Sequence, residues 1–361
     1  MSNILNDIAS SIFKISHSQG SGTGFYLNDK KIIVTNYHVV GGFRQVSVED
    51  QKQNRYLADV IVADQDNDMA FLKVQSDFNL PQIEFSPAGQ LKSSDQVYVL
   101  GFPFGMPYTV TEGIVSAPNQ LMEGRYYVQT DAAVNPGNSG GAVVDANGKL
   151  VGITTAKFTE ADNMGFAIPV QKLVEELTLL DQNTEQKYAL KCSSCGALMF
   201  EPTEYCNNCG NQIDLKLWDE AMLTNLGVFV EDALKMGGVN PILARTGHEF
   251  WSFHNGTSLL RFFVYDKSYL YATSPLNALP SANLEALYKY LVSKPIAPYQ
   301  LGIYDNMIYI SYRVRLTDLY TTEKDRVQAE LSKFPAKADE MDDFFVKEFG
   351  CKYSNFSKAN S

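Results

Sequence analysis

Along the first 180 residues, apolar and β-branched positions come in short runs broken at close intervals by polar turn residues. Examples are TGFYLNDKKIIVTNYHVV, YVLGFPFG, YTVTEGIVSA, YYVQTDAAV and GAVVDANGKLVGITTA. Short runs rich in Val, Ile, Tyr and Phe predict strands. Asn-Gly in DANGKLVGI and Asn-Asp in YLNDKKIIV predict hairpin turns between them. Many such strands predict a closed or sandwiched all-β unit. A helical period follows at about 170–180, VQKLVEELTLL, with Pro169 near its start.

The pattern then changes twice. Residues 181–190, DQNTEQKYAL, are polar without a clear period and suit a linker, and 191–213 hold a compact cysteine cluster. From 214 the reading is mixed. A helix in WDEAMLTNLGVFVEDALKM precedes strands in EFWSFHNG, SLLRFFVYD and SYLYATSP. A helix in ANLEALYKYLVSK, strands in YQLGIYD and MIYISYRV, and an amphipathic helix from about 317 to 348 complete it. The order α-β-β-β-α-β-β-α predicts an α+β sandwich over 214–361. The expected architecture is therefore multi-domain: an all-β unit over 1–180, a linker, a small cysteine module and an α+β domain.

Length agrees, since 361 residues exceed one ordinary domain. With 45% hydrophobic and 20% charged residues the chain can build real cores. Its net charge of −11 argues against a nucleic-acid partner, because that affinity rests on neutralising phosphates. The opening MSNILNDIASSIFKISHSQGSG has no basic and apolar leader, and no stretch approaches a membrane span. The expected location is cytoplasmic, with no membrane partner.

Cysteine usage sharpens the picture. Cys192-Ser-Ser-Cys195-Gly196 and Cys206-Asn-Asn-Cys209-Gly210 are two knuckles of the same form, with Cys351 apart. Two residues between thiolates let both sulfurs reach one ion, and the Gly permits the tight turn. The spacing predicts a zinc ribbon with one structural Zn²⁺ held by Cys192, Cys195, Cys206 and Cys209, a closed site with no place for substrate. Two disulfides or a redox dithiol are the alternatives; the expected compartment disfavours the first and the duplication the second. The ribbon would serve as a rigid spacer or docking knob.

Acyl transfer by a serine needs a base beside the hydroxyl, a group orienting that base, and donors for the oxyanion. The run from Asn135 to Gly141, NPGNSGG, can supply a nucleophile and a hole in the turn Gly137, Asn138 and Ser139, the amides of Gly137 and Ser139 being the candidate donors. The same run also reads as a surface turn. His38 ends the apolar run IIVTNYHVV, where a structural histidine is the plainer reading. Asp68 stands in DQDNDMAFLKV beside Asp64 and Asp66, which also suits a solvated acidic loop.

The order His, Asp, Ser decides between these readings. With GSGTGFYL, VTNYHVV, DNDMAFLKV, VLGFPFG, TEGIVSA, QTDAAVNPGNSGGAVVDANGKLVGI and MGFAIPV, residues from about 20 to 172 resemble the trypsin-like serine proteases of the HtrA/Deg type. The resemblance implies an all-β double β-barrel with the site in its cleft, and a catalytic triad of His38, Asp68 and Ser139. No cofactor is implied for catalysis. Asn138 stands where digestive relatives have an Asp that pairs with a new N-terminus, so activation by propeptide removal is not expected. Motif alignment places Ala133 at the base of the specificity pocket, with Thr154, Thr155, Ala156 and Phe166 on its walls. Small or medium apolar P1 residues follow from the lack of a carboxylate there. The PDZ domains usual after such a module are not found in 181–361, so only the chemistry carries over.

In the last module, FWSFHNGTSLLRFFVYDKSYLYATSPLNALP, LEALYKYLV and YDNMIYISYRVRLTDL resemble the YbjN and type III secretion chaperone-like group. That resemblance implies a non-catalytic domain that binds protein segments and often dimerises. The resulting expectation is a serine endopeptidase acting on protein or peptide substrates, tethered through its C-terminal domain to a protein partner, with homo-oligomers in view. A latent protease or pseudoprotease adaptor is the alternative.

Overall fold

The computed structural model describes residues 2–155, 164–293 and 296–358. Two compact units divide the chain, Met1–Ala221 and Met222–Ser361.

The first unit opens with helix α1 (Ser2–Ala9), followed by β1 (Ile12–His17), β2 (Gly20–Leu27) and β3 (Ile32–Thr35). The short helix α2 (Tyr37–Val40) leads to β4 (Gln45–Glu49), β5 (Arg55–Asp64) and β6 (Met69–Val74). These six strands hydrogen-bond in the order β5-β4-β1-β2-β3-β6, and β6 returns to pair with β5, closing the ring. A second closed barrel follows: β7 (Gln96–Gly101), β8 (Thr109–Met122), β9 (Arg125–Thr130), β10 (Ala142–Asp145), β11 (Leu150–Thr155) and β12 (Gly165–Pro169), in the order β10-β11-β12-β9-β8-β7. The double barrel expected from the resemblance is present.

Alternation along the strands explains why they read as almost continuous apolar runs. Successive side chains face opposite sides. In the second barrel Val97, Val99, Val115, Val128, Val143 and Val151 form one buried cluster. Their neighbours Tyr98, Leu100, Val144 and Leu150 instead share a cluster with Phe25, Leu27, Val34 and Phe71 of the first barrel. Both faces are buried, one inside the barrel and one against its partner. Each fully buried aliphatic side chain stabilises by about 1.5–3 kcal/mol, so the two barrels are held as one body.

Helix α3 (Val170–Leu177) docks Val170, Leu173 and Leu177 into that shared core. The cysteine module is not a free spacer. Its hairpin, β13 (Ala189–Lys191) and β14 (Leu198–Met199), pairs with the first barrel, β13 running parallel to β5 with Ala189 opposite Val62. It belongs to the first unit.

The second unit begins with α4 (Asn225–Met236) and α5 (Pro241–Ala244). The helix foreseen across WDEAMLTNLGVFVEDALKM starts only at Asn225, because the Thr224 hydroxyl accepts from the Gly227 amide at 2.9 Å and caps it there. Strands β15 (Arg245–Gly247), β16 (Phe250–Asn255), β17 (Ser258–Tyr265) and β18 (Tyr269–Ala278) follow. Then come α6 (Leu284–Ser293), β19 (Gln300–Tyr304), β20 (Met307–Arg315), α7 (Lys324–Phe349) and β21 (Lys352–Tyr353). The sheet order is β15-β16-β17-β18-β20-β19, with β21 on β18. Trp251, Phe262, Leu270 and Ile310 pack with Phe334, Leu331 and Phe345 of α7 in one core. Helix α7 starts later than the pattern from 317 suggests, since Leu316–Tyr320 first forms a tighter turn.

Candidate active site

His38 lies in the single turn of α2, just after β3. Asn36 precedes that turn in extended backbone, and Gly41 ends it in the left-handed region at φ 57°. Asp68 sits in the turn between β5 and β6, itself at φ 53°, an uncommon conformation for a residue with a Cβ. Three interactions hold it there. The Asn36 amide donates to the Asp68 carbonyl at 2.9 Å, the His38 backbone N–H donates to Oδ1 at 3.1 Å, and the Thr155 hydroxyl donates to Oδ2 at 3.3 Å.

So fixed, the carboxylate faces the imidazole. His38 Nδ1 lies 2.9 Å from Oδ2 and 3.0 Å from Oδ1. This pairing puts the proton on Nδ1 and leaves Nε2 as the basic nitrogen. The His38 side chain is 45% exposed and that of Asp68 only 11%, so the base is reachable from solvent while its partner is shielded. Among the described residues, the ring of His38 hydrogen-bonds to Asp68 alone; a bond to Ser139 of the kind that tightens when substrate binds is not yet made.

Ser139 comes from the second barrel, in the loop between β9 and β10, and is buried. The loop distributes its amides in a telling way. Asn138 donates to the Asn135 carbonyl at 2.9 Å, Gly140 to Thr154 at 2.8 Å and Gly141 to Asn138 at 2.9 Å. The amides of Gly137 and Ser139 have no protein acceptor among the described residues. Two donors left unspent on either side of a spent one is what an oxyanion site requires. Of the turn singled out in the sequence, Asn138 is thus not a donor; its amide closes the turn.

Glycine is required at two of these positions. A Cβ on Gly137, at φ 100°, would sit 2.5 Å from the Phe102 carbonyl oxygen. One on Gly140, at φ 82°, would sit 2.2 Å from the Thr23 carbonyl oxygen. The Gly137 carbonyl in turn accepts from the Thr23 hydroxyl at 2.6 Å.

The residues assigned to the specificity pocket are scattered. Ala133 is exposed, its carbonyl accepting from the Thr111 hydroxyl at 2.8 Å. Thr154 is fully buried, and the Phe166 ring packs against Tyr127 in the core. Thr155 serves Asp68 with its hydroxyl, because strand alternation turns it toward the first barrel. Ala156 lies outside the described residues. Thr23 and Asn36 are absent from the sequence-based site, and Thr155 stands there as a pocket wall rather than as a partner of Asp68; the signal for all three is a polar side chain at a buried position in an apolar strand or at its end.

The four cysteines converge, their Sγ atoms all within 4.8 Å of one another. Cys192 and Cys209 are 3.8 Å apart, and Cys195 and Cys206 are 3.7 Å apart. Sulfurs bonded at ~2.3 Å to one tetrahedral ion lie about 3.8 Å apart, whereas a disulfide needs ~2.05 Å. The donor set therefore fits zinc. Both knuckles share one backbone pattern: the Gly196 amide donates to Cys192 at 2.9 Å, and the Gly210 amide to Cys206 at 2.8 Å. Burial pushes the Cys192 thiol up to about 11, while the amide of Asn208 draws Cys195 down to about 6.

Comparison with known proteins places this geometry. Residues 22–153 match the trypsin-like peptidase domain. A probable periplasmic DegP-like serine endoprotease of Hahella chejuensis is 37% identical over 169 residues, 45% of this chain and 36% of that protein. A probable periplasmic do/HhoA-like serine protease of Haemophilus influenzae is 39% identical over 160 residues, 42% and 34%. The chloroplastic Do-like 1 protease of Arabidopsis thaliana is 35% identical over 187 residues, 48% and 43%. The chain thus spans about a third to two-fifths of these relatives' length. Among solved structures, the HtrA-type protease AlgW with tripeptide aligns at a TM-score of 0.48 and 32% identity, over 50% of this chain and 64% of that one.

The cytoplasmic location expected from the N-terminal sequence is corrected by these relatives. Those of Hahella, Haemophilus and Chlamydia trachomatis are named periplasmic, against that expectation. No helix among the described residues is long and apolar enough to cross a membrane. The first unit carries a trypsin-like peptidase domain with relatives among the HtrA/DegP serine proteases.

Proposed function

We propose that the chain is a serine endopeptidase in which Ser139 is the nucleophile, His38 the general base and Asp68 the group that orients it. What carries this reading is the His38–Asp68 pair at 2.9 Å, taken with a serine loop whose Gly137 and Ser139 amides have no acceptor among the described residues. As Ser139 Oγ attacks a peptide carbonyl, Nε2 of His38 takes its proton and Asp68 stabilises the imidazolium without being protonated. The two amides receive the oxyanion, each worth ~2.7–4 kcal/mol in the transition state. His38 then delivers the proton to the leaving amine, and water repeats the cycle on the acyl-enzyme.

The four cysteines hold one zinc ion, which supplies a closed structural cross-link and no catalytic step. Substrates are protein segments with small or medium apolar P1 side chains, supported by the absence of a carboxylate at Ala133. By its resemblance to the YbjN and type III secretion chaperone-like group, the second unit is a binding module through which the peptidase is directed to, or joined with, a protein partner. A latent form completed by that partner is the second reading, consistent with a His38 ring that bonds only to Asp68 among the described residues.

Labelling with a fluorophosphonate probe tests the proposal. Wild type should label at Ser139 and the Ser139→Ala variant should not. Equal labelling of both, or none of either in the presence of substrate proteins, would remove the peptidase reading.

A further inference from the structure

The turn that positions Asp68 is built against the cysteine module. β5 ends at Asp64, and the chain reverses through Gln65, Asp66 and Asn67 to reach Asp68. Asp64 is buried and organises this reversal, accepting from the Asn67 amide at 3.1 Å and from its side chain at 2.7 Å. The module's strand β13 lies alongside β5 with Leu190 opposite Ala63, so Lys191 falls beside Asp64. Its Nζ donates to Asp64 Oδ2 at 2.9 Å and to Glu176 Oε2 of α3 at 2.5 Å. Asn67 also reaches Glu176, at 3.2 Å, and Lys172 faces Glu176 at 3.0 Å.

This is a closed set of charges. The side chains of Lys191, Asp64 and Glu176 are 10%, 3% and 4% exposed. An exposed pair would hold nothing firmly, but a buried cation between two buried carboxylates cannot leave without uncovering them. The next residue after Lys191 is Cys192, a buried member of the four-cysteine cluster, and Lys191 itself pairs with Leu198 across the first knuckle. Asp68 adopts its left-handed backbone four residues beyond Asp64, a conformation that persists only where the surroundings enforce it.

We propose that Lys191 is a positioning residue of the peptidase site, through which metal occupancy of the four-cysteine cluster sets the placement of the Asp68 carboxylate. This rests on the peptidase and zinc readings given above. A loaded cluster holds the first knuckle and keeps Lys191 on Asp64. Loss of the ion frees the knuckle and slackens the turn, and His38 loses its orienting partner. The peptidase would then report the availability of the metal in its surroundings.

The test uses the full chain, loaded with zinc or stripped by a chelator, as wild type, Lys191→Met, Lys191→Arg and Asn67→Ala. Asn67 breaks the same link from the barrel side and touches no cysteine. Three quantities are read: zinc content, the rate of fluorophosphonate labelling, and the low-field proton NMR signal of the His38 Nδ1–H···Asp68 bond.

Loaded K191M and N67A should keep one zinc per chain, yet label at least about tenfold more slowly, since ~1 Å of misplacement costs up to about 100-fold. Both should lose or shift the low-field signal, and K191R should regain part of each. Stripping wild type should reproduce these changes, and stripping K191M should add nothing. Wild-type labelling and an unmoved signal in both loaded variants would overturn the link, as would a chelator effect of equal size in wild type and K191M. If loaded wild type fails to label, the peptidase reading falls, while the low-field signal still decides the link.

Discussion

The Pro136 carbonyl accepts a hydrogen bond from the Phe104 amide at 2.6 Å. A trans peptide points its C=O and N–H in opposite directions, so this contact turns the Gly137 N–H away from Phe104. The loop after β7 thereby holds one of the two proposed oxyanion donors in place, although it contributes no side chain to the proposed triad. Phe104 is at φ 53°, which proline cannot reach, and proline has no N–H to give. Phe104→Pro should therefore slow acylation by about 10²–10³-fold, the cost of one lost hole donor. Phe104→Gly, which keeps the amide and the backbone region, should stay near wild type. Probe-labelling rates beside melting curves check this; equal losses in both variants would show that the ring, not the amide, matters.

Asp68→Asn would keep the size of the side chain and an oxygen for the His38 backbone amide. Its NH₂, however, would face Nδ1 and favour the tautomer with the proton on Nε2. The turnover number should fall by roughly 10⁴-fold with little change in melting temperature. Steady-state cleavage of a peptide with an apolar P1 residue measures it. A loss below tenfold would mean that Asp68 does not orient the base.

The parts of this molecule that were legible in the sequence are those in which pattern and chemistry are local. Short apolar runs such as YVLGFPFG give the strands, and Cys-x-x-Cys-Gly gives each knuckle with its turn. His38, Asp68 and Ser139 are distant in sequence, and only the family resemblance joined them. The Thr155–Asp68 contact, the Thr23–Gly137 contact and the docking of β13 on β5 were not legible, because each depends on which distant strands become neighbours. Motif alignment puts Thr155 on the pocket wall; its hydroxyl instead donates to the buried Asp68 carboxylate. The helix boundary near residue 225 was missed because Thr224 reads as an ordinary helix residue until its hydroxyl is seen to cap the turn that follows.

In the second unit Glu231 of α4 and Arg245 of β15 form a buried two-point pair, at 2.6 and 2.8 Å, and the Trp251 indole approaches Glu231 at 3.4 Å. Replacing one partner strands the other charge in the core. Glu231→Ala should cost about 3–5 kcal/mol, while a joint change to apolar residues of similar volume should cost far less. Denaturant unfolding followed by tryptophan fluorescence reads both, Trp251 being at the pair itself. A single variant losing under ~1 kcal/mol would remove this pair from the account of the unit's stability.

Asp342 of α7 gives the second unit a distinct pH response. Burial pushes its carboxyl up to about 6, against the hydrogen bonds it accepts from the Thr257 and Ser258 hydroxyls at 2.9 and 3.1 Å, and the charges of Asp343 and Asp339 push the same way. The unfolded chain releases this proton near ~4. Between those values the folded state binds more protons than the unfolded one, so this group's contribution to stability falls as pH rises through the interval. It is fully present below pH ~4 and lost above about 6, a change on the order of 2–3 kcal/mol. Asp342→Asn keeps an oxygen for the Asn277 amide, now at 2.8 Å, and an NH₂ that the two hydroxyls can accept. The variant should match wild type near pH 4 and exceed it at pH 7. The difference between the two unfolding curves, taken at each pH, isolates this group from every other carboxylate. A difference that stays flat from pH 4 to 7 would mean that Asp342 is ionised throughout, with its hydrogen bonds outweighing burial.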